Sequence, residues 1–525
     1  MEEFTERDLA TTAWAFATLR WMHLPLFDAI AIRAAAIILD FKPQGLSNLA
    51  WAYAFLMLPH APVMGAIASA AVKIVPEFTP QHVANTSWAF ATQRFVDKPL
   101  LSALSAATIG RLVEFGSEEL AITAWAGATI RVKDEPVVAG IAKESLSRLT
   151  EFSLQELANT AWSNATLQLV DEPVLVAIAS RAKVLMKELI LSPHRETGDE
   201  IHGAATPILC LVQAFTDLGL FDQDLDFCAA AALRHLGREL DDPDERYPSR
   251  HDSAEHHGGL VASEQEPRAG KPHVQWSSRH VSVIVKPPGW SVFTSSDVLV
   301  GAKHLVSWVQ ANSRQPIVRD RQADYGFVHR LDRNTSGSLL LAQSYEGYFA
   351  AKLEFNARRV TKQYVALCEG HFPKDLRMLS FPLLTVESSP GTFRSLVDEA
   401  GQHARTEVLR VAHLRDASRE AWSLLIVRLH TGRTHQIRAH CAALGHPLAA
   451  DQAYGGKSLA SCKRVFLHSF RLHLASRGEG DAAGWVADAF SPLPEDLQQA
   501  LAHMSCETAD CAATVFTWLK TASER

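Results

Sequence analysis

The sequence predicts a multidomain protein: an all-α solenoid of 37-residue, two-helix repeats over residues 1–240, and an α/β (α+β) domain over residues 276–525. Three observations predict it. Trp14, Trp51, Trp88, Trp125 and Trp162 recur every 37 residues, and prolines and phenylalanines keep the same step. Residues 241–275 lose apolar character and read as a flexible linker. From Val281 onward, short apolar strands alternate with helical stretches, the pattern of a mixed domain.

The repeat comes first in the chain. Pro25, Pro62, Pro99, Pro136 and Pro173 keep phase with the tryptophans, as do Phe4, Phe41, Phe78, Phe115 and Phe152. A fixed period in the 30s means stacked supersecondary units that bury their apolar faces only against neighbours. In one copy, Leu157, Ala158, Ala161, Trp162, Ala165 and Leu169 form a helical stripe. Asp171-Glu172-Pro173 then opens a second helix, with Pro in the first turn where its missing N–H costs nothing. Residues 189–240 stay helical but lose the Trp and Pro registers, so they read as a degenerate sixth unit closing the stack. The first unit begins almost at Met1 with no polar cap, which leads us to expect further sequence upstream.

The linker holds Asp241, Asp242, Asp244, Pro248, Gly258, Gly259 and Pro267, with His251, His256 and His257 that nothing orders into a metal site. Strands are expected at Val281–Val285, 326–331, Ser338–Ala342, Tyr364–Cys368 and Leu424–Leu429. Helices are expected at Tyr348–Arg359, Leu497–Met504 and Ala513–Leu519, the last two as a helical tail.

Composition narrows the class. At 525 residues, 47% hydrophobic and 21% charged, the chain is not mainly disordered, collagenous or a disulfide scaffold. No run of about 18 apolar residues predicts a membrane span. Seven cysteines without a Cys-x-x-Cys pair read as reduced thiols. The chain therefore reads as soluble, intracellular and monomeric. Charge is uneven: residues 1–240 hold 18 Lys and Arg against 27 Asp and Glu, whereas residues 276–525 hold 29 against 23. A polyanion is drawn first to the second half.

That half carries three polar segments that a plain scaffold would not need. In His329-Arg330-Leu331-Asp332-Arg333-Asn334-Thr335-Ser336-Gly337, an Asp stands between two arginines on a tight turn, where guanidinium groups would hold a carboxylate ionised and oriented. An Asx-turn with solvated arginines fits this segment alone equally well. In Thr361-Lys362-Gln363-Tyr364, a strand Tyr is either core or a surface for a flat substrate. In His430-Thr431-Gly432-Arg433-Thr434-His435-Gln436-Ile437-Arg438, Thr434 is expected to cap a helix starting at His435, leaving a positive helix end beside Arg433 and Arg438.

Taken together, and with Lys286-Pro287-Pro288-Gly289, Gly445-His446-Pro447, Asp451 and Leu467-His468, these segments resemble the RluA-type pseudouridine synthases over about residues 280–475. The chain departs from that pattern at Val285, Ala450 and Ser469. The resemblance implies a pseudouridine synthase-like domain with a mixed, largely antiparallel sheet and a cofactor-free isomerisation: uracil leaves C1′ of its ribose, turns, and rejoins through C5. It implies Asp332 as the catalytic carboxylate, Arg438 as its partner, Tyr364 against the base and Leu467 as an apolar wall. Arg330 would fill the space vacated by a flipped uridine, and Arg433 and His435 would hold flanking phosphates. No metal is implied. The expected partner is structured RNA, ribosomal or transfer RNA, with no membrane involved.

The repeat consensus resembles the octotricopeptide-like helical repeats of organellar RNA proteins, which suggests a mitochondrion or plastid although no targeting peptide is visible. Such repeats read single-stranded RNA along a concave face, or dock a protein partner. Six residues after each Trp stand Arg20, Met57, Arg94, Arg131 and Gln168; a cation there also suits a helix C-terminus. The alternative for the whole chain is a catalytically inactive RNA-binding or ribosome-assembly factor. A hydrolase using Asp332 as nucleophile finds no phosphate loop or Ser-His-Asp order to support it.

Overall fold

The computed structural model describes residues 3–132, 134–192, 197–241, 259–260, 270–293, 303–389, 392–476 and 484–508. Most of the expected linker, its three histidines and the expected helix at Ala513–Leu519 lie outside them. The chain divides into two compact units, residues 1–194 with 203–232, and residues 195–202 with 233–525.

In the first unit, helices come in pairs: α1 (Glu6–Thr18) and α2 (Leu24–Ala36), α3 (Pro43–Phe55) and α4 (Ala61–Ile74), α5 (Pro80–Thr92) and α6 (Lys98–Gly110), α7 (Ser117–Thr129) and α8 (Glu135–Ser147), α9 (Leu154–Leu167) and α10 (Glu172–Leu191). Helices α11 (Gly198–Leu218) and α12 (Gln223–Asp241) follow without the Trp register. Each second helix starts from the repeat chemistry. The side chains of His23, His60, Asp97, Asp134 and Asp171, again 37 apart, accept the amide three residues on, and the repeat Pro fills the first turn. The repeat phenylalanines Phe41, Phe78, Phe115 and Phe152 are buried.

The first helices α1, α3, α5, α7 and α9 pack closely in a row, while the second helices touch more sparsely. The residue six after each Trp lies just past the end of its first helix, and all five (Arg20, Met57, Arg94, Arg131 and Gln168) take left-handed φ between 52° and 56°. Glycine is the usual residue at such an end, because it carries no Cβ penalty.

Helix α11 is long and apolar enough to cross a membrane, with a hydropathy of 1.2, against the expectation that no segment would be. Its Ile208, Leu211, Val212 and Phe215 are buried in the protein, as in a core helix, and Pro207 lies within it.

The second unit runs β1 (His273–Ser277), β2 (Val281–Lys286), β3 (Trp290–Ser291), β4 (Lys303–His304), α13 (Leu305–Asn312), β5 (Ser336–Ala342), α14 (Tyr345–Asn356), β6 (Thr361–Glu369), β7 (Met378–Leu379), β8 (Leu383–Ser389), β9 (Thr392–Val397), β10 (Thr406–Arg415), β11 (Ala421–Leu429), α15 (Gln436–Ala443), β12 (Leu467–Ala475), β13 (Val486–Phe490), α16 (Glu495–Ala502) and β14 (Ser505–Cys506). One sheet has the order β1-β2-β5-β12-β6-β11-β10-β14, with β13 on β12 and β7 on β10. Among the described residues only β5 and β12 pair in parallel in this sheet, so it is mixed and largely antiparallel. A core of Val365, Leu367, Trp422, Leu424, Phe466 and Phe470 packs under it, sealed by Leu497 of α16.

Two local expectations fail. Residues 326–331 are not a strand: Gly326 turns the chain at φ 84°, and only Phe327 bridges to Leu341. The Leu340 N–H that a neighbouring strand would take donates instead to Nε2 of His329, at 3.0 Å. Nor does Thr434 cap a helix at His435. His435 itself turns left-handed, at φ 52°, and α15 starts one residue later.

Candidate active site

Asp332 sits on a turn between the Phe327 bridge and β5, and that turn is pinned from several sides. Its carbonyl accepts the Thr335 amide at 3.0 Å. The next carbonyl, of Arg333, accepts both Lys286 Nζ at 3.0 Å and the Gly289 amide at 2.9 Å. Arg464 Nη1 donates to Asn334 O at 3.0 Å. Lys286 is wholly buried, and burial pulls its pKa down to about 7. It keeps three carbonyl acceptors, of Pro287, Trp290 and Arg333, one for each ammonium proton. Just beyond, Gly337 has φ 122°, and a Cβ there would fall 2.0 Å from Ser469 O. Only glycine lets β5 come this close to β12.

From the other side comes α15. Arg438 donates from Nη1 to Asp332 Oδ2 at 3.3 Å, and its Nε and Nη2 clasp Asp451 at 2.7 Å each. The two-pronged pair with Asp451, which is 2% exposed, fixes the guanidinium, leaving its third nitrogen for Asp332. The Tyr454 ring lies 5.0 Å from the Arg438 guanidinium. His435 adds Nε2 at 3.7 Å from Asp332. Burial lowers the His435 pKa, and Asp332 works against that shift. A cleft of about 580 Å³ is lined by Asp332, His435, Arg438, Asp451, Lys463 and Arg464, among others.

The other expected residues are placed differently. Tyr364, in the middle of β6, is 6% exposed, and Leu467, at the head of β12, is 4% exposed. Neither lines the cleft. Burial holds the Tyr364 phenol well above the ordinary tyrosine range, with Ser469 partly offsetting it and Asp332 adding to it. Arg330 is exposed. Arg433 is half-buried, with its Nε donating to His403 O at 3.2 Å.

A family model described as RNA pseudouridylate synthase matches residues 280–443. Another, described as RNA-editing substrate-binding complex 6 protein, matches residues 1–109. An uncharacterized RNA pseudouridine synthase of Zymomonas mobilis is 37% identical over 197 residues, 37% of this chain and 83% of that protein. The chain belongs to the RNA pseudouridine synthase family. The mouse RNA pseudouridylate synthase domain-containing protein 1 is 32% identical over 210 residues, 36% of this chain and 68% of that protein. An uncharacterized RNA pseudouridine synthase of Mycobacterium bovis is 37% identical over 185 residues, 35% of this chain. The chain spans about half of that relative's length, 56%.

Three supports of this candidate site were not singled out from sequence. Asp451 stood in a motif without a role. Gln436 holds the Thr431–Arg433 loop: its Oε1 accepts from Thr431 Oγ1 at 2.7 Å and Arg433 N at 3.0 Å, and its Nε2 donates to Arg405 O at 3.0 Å and Thr406 Oγ1 at 2.9 Å. Tyr454 Oη donates to Ser395 O at 3.0 Å and accepts the Ser395 amide at 2.9 Å. A spacing signal existed for Asp451, 13 residues after Arg438, but its direction does not show in spacing. Ala450, where the family pattern has Gly, takes φ 58°, the left-handed region in which that Gly would be unstrained.

His371, His413 and Glu507 also bring ligand atoms within 4.8 Å of one another. Arg415 already pairs with Glu507 at 2.8 Å, which opposes a cation there.

Proposed function

We propose that the chain is an RNA pseudouridine synthase, converting a uridine of structured ribosomal or transfer RNA to pseudouridine. The observation that carries the reading is Asp332 held 3.3 Å from an Arg438 that Asp451 immobilises, at the mouth of a cleft, in a chain of this family. The reaction breaks the bond from C1′ to N1, turns the uracil, and forms the bond from C1′ to C5. The C5 proton leaves and N1 gains one, so atoms balance without a cofactor. Whether Asp332 adds to the sugar or acts as base while a glycal forms, it works as the anion, and Arg438 places positive charge against it. Tyr364, kept as the neutral phenol, is suited to donating or relaying a proton near the base.

We propose further that the repeats select the RNA. On each first helix the solvent side carries the residue seven before the Trp (Arg7, Gln44, Gln81, Glu118 and Gln155), the residue three before it (Thr11, Asn48, Asn85, Ile122 and Asn159) and the Trp itself. Neighbouring rings meet, Trp51 with Trp88 at 6.4 Å and Trp125 with Trp162 at 6.3 Å. Amides repeated beside aromatic rings suit bases presented one per unit. The family whose model matches residues 1–109 carries RNA-editing substrate binding in its name.

Tritium release from RNA labelled at uridine C5 tests the chemistry. The full-length protein is expected to release it and Asp332→Asn to fall to background. Equal release from both would remove Asp332 from the reaction.

A further inference from the structure

The two side chains ahead of each Trp are not the same in every repeat. In repeats 2, 3 and 5 the residues seven and three before the Trp are Gln44 and Asn48, Gln81 and Asn85, and Gln155 and Asn159. Steps of four and then three residues put Gln, Asn and Trp on one helix face, where each Gln is exposed and each Asn half-buried. In repeat 4 the same positions hold Glu118 and Ile122, while Trp125 remains. Repeat 1 has its own pair, Arg7 and Thr11.

In repeat 5 the two amides are already joined, Gln155 Nε2 donating to Asn159 Oδ1 at 2.9 Å. That bond fixes both orientations and leaves Gln155 Oε1 as an acceptor beside the Asn159 NH2 as a donor. Among the described residues the side chains of Gln44, Asn48, Gln81 and Asn85 make no hydrogen bond. An acceptor next to a donor is the complement of a nucleobase edge.

Folding does not ask for these amides. Asn is a poor helix former, yet it stands in mid-helix beside an indole three times in one register. An acidic residue at the head of a helix suits its dipole, yet Gln44, Gln81 and Gln155 are neutral. Repeat 4 is the internal control. Its Glu118 suits the dipole and its Ile122 is apolar, and α7 still has 13 residues, as α3 and α5 do, and keeps its place in the row.

We propose that the Gln and Asn pairs of repeats 2, 3 and 5 each take the same base, and that repeat 4 takes any base. The preferred ligand is then a single-stranded RNA segment with one letter repeated at the first, second and fourth of four successive positions, counted in one strand direction or the other. This rests on the reading that the repeats select RNA and goes beyond it, because identical pairs must choose alike. At repeat 4 a base can still stack on Trp125. Ile122 offers it neither donor nor acceptor, and Glu118 alone supplies only acceptors.

The full-length protein is used to select from a pool of RNAs that carry a randomised single-stranded segment, and the bound RNAs are sequenced. The wild type should enrich a motif with that spacing, a wrong base opposite repeat 2, 3 or 5 weakening binding about tenfold. Two double exchanges copy one repeat into another, so each uses side chains the fold already carries, and thermal melting checks that both variants fold. Gln81→Glu with Asn85→Ile should erase the preference opposite repeat 3 and leave those opposite repeats 2 and 5. Glu118→Gln with Ile122→Asn should install the repeated letter opposite repeat 4 and tighten binding to an unbroken run of that letter about tenfold. A motif without the repeated letter, or one that neither exchange alters, overturns the inference while RNA binding by the chain stands. If the wild type enriches no sequence, the reading that the repeats select RNA has failed and the inference falls with it.

Discussion

Arg438 is held by two carboxylates of unequal weight, and the inequality has a consequence. Asp451 takes two of its nitrogens at 2.7 Å and is buried, whereas Asp332 takes the third at 3.3 Å and faces the cleft. The tighter pair works as an anchor and the looser one as the working contact. In Asp451→Asn the volume stays, but one oxygen becomes an NH2 aimed at the guanidinium, so Arg438 loses the clasp and turns toward Asp332. We expect kcat to fall about 10²-fold, the scale of a misplacement near 1 Å, with KM for RNA little changed. Asp451→Ala leaves a guanidinium only 12% exposed without its main partner, which should cost about 3 kcal/mol of stability. Steady-state tritium release and thermal melting separate the two effects. A kcat unaffected by Asp451→Asn would mean that Asp332 needs no fixed Arg438.

Between elements, two neutral histidines tie strands together around the Asp332 turn. His468 of β12 receives the Ser336 hydroxyl of β5 on Nδ1 at 2.9 Å and donates from Nε2 to Ser491 O, beyond β13, at 3.0 Å. His329 accepts the Leu340 amide of β5. Burial is the leading cause that lowers both, His468 to about 4 and His329 to about 3. Unfolded, each titrates near 6.5. Between those values the unfolded chain binds protons that the fold refuses, so stability is complete above pH 6.5 and drains as pH falls toward 4. For His468 the loss is on the order of 3 kcal/mol. The melting temperature should drop across that window. His468→Gln should melt lower at neutral pH but lose less on acidification, and an unchanged acid slope would clear His468 as the titrating group.

The same histidine explains one limit of reading elements from sequence. The apolar pattern at 326–331 was legible, but a strand needs a partner's backbone, and His329 spends its side chain on the Leu340 amide that the strand would have used. At α15 the capping signal of Thr434 was overridden by Gln436, whose four hydrogen bonds secure the preceding loop. The regular strands β2, β5, β6 and β11 were legible because each is a short, nearly continuous apolar run, buried along most of its length. Within the site, Asp332 and Arg438 could be read as a pair from their motifs, whereas the clasp by Asp451 depends on side-chain direction, which no spacing encodes.

At the scale of the molecule, periodicity made the paired helices of the five repeats legible, because each copy repeats the same proline and Trp registers. What periodicity leaves open is which face works, and the backbone supplies an argument. Five successive first helices end in left-handed residues, none of them glycine, and each such residue costs roughly 1 kcal/mol over glycine. Folding alone favours glycine at every one. Long side chains kept there, three of them arginine, place positive charge along the end of the row in a half whose net charge is negative. Among the described residues, Arg20, Arg94 and Arg131 make no ion pair. Changing all three to Gln is structurally mild, since Gln168 already holds the same conformation, at φ 55°. If they meet RNA phosphates, the triple variant should bind a single-stranded RNA substrate more weakly and lower its salt slope by about 2, raising KM for the native RNA more than it lowers kcat. If the column only complements helix dipoles, melting will shift slightly and the salt slope will hold; the repeats would then have to choose their partner through the Trp and amide stripe, or dock a protein instead.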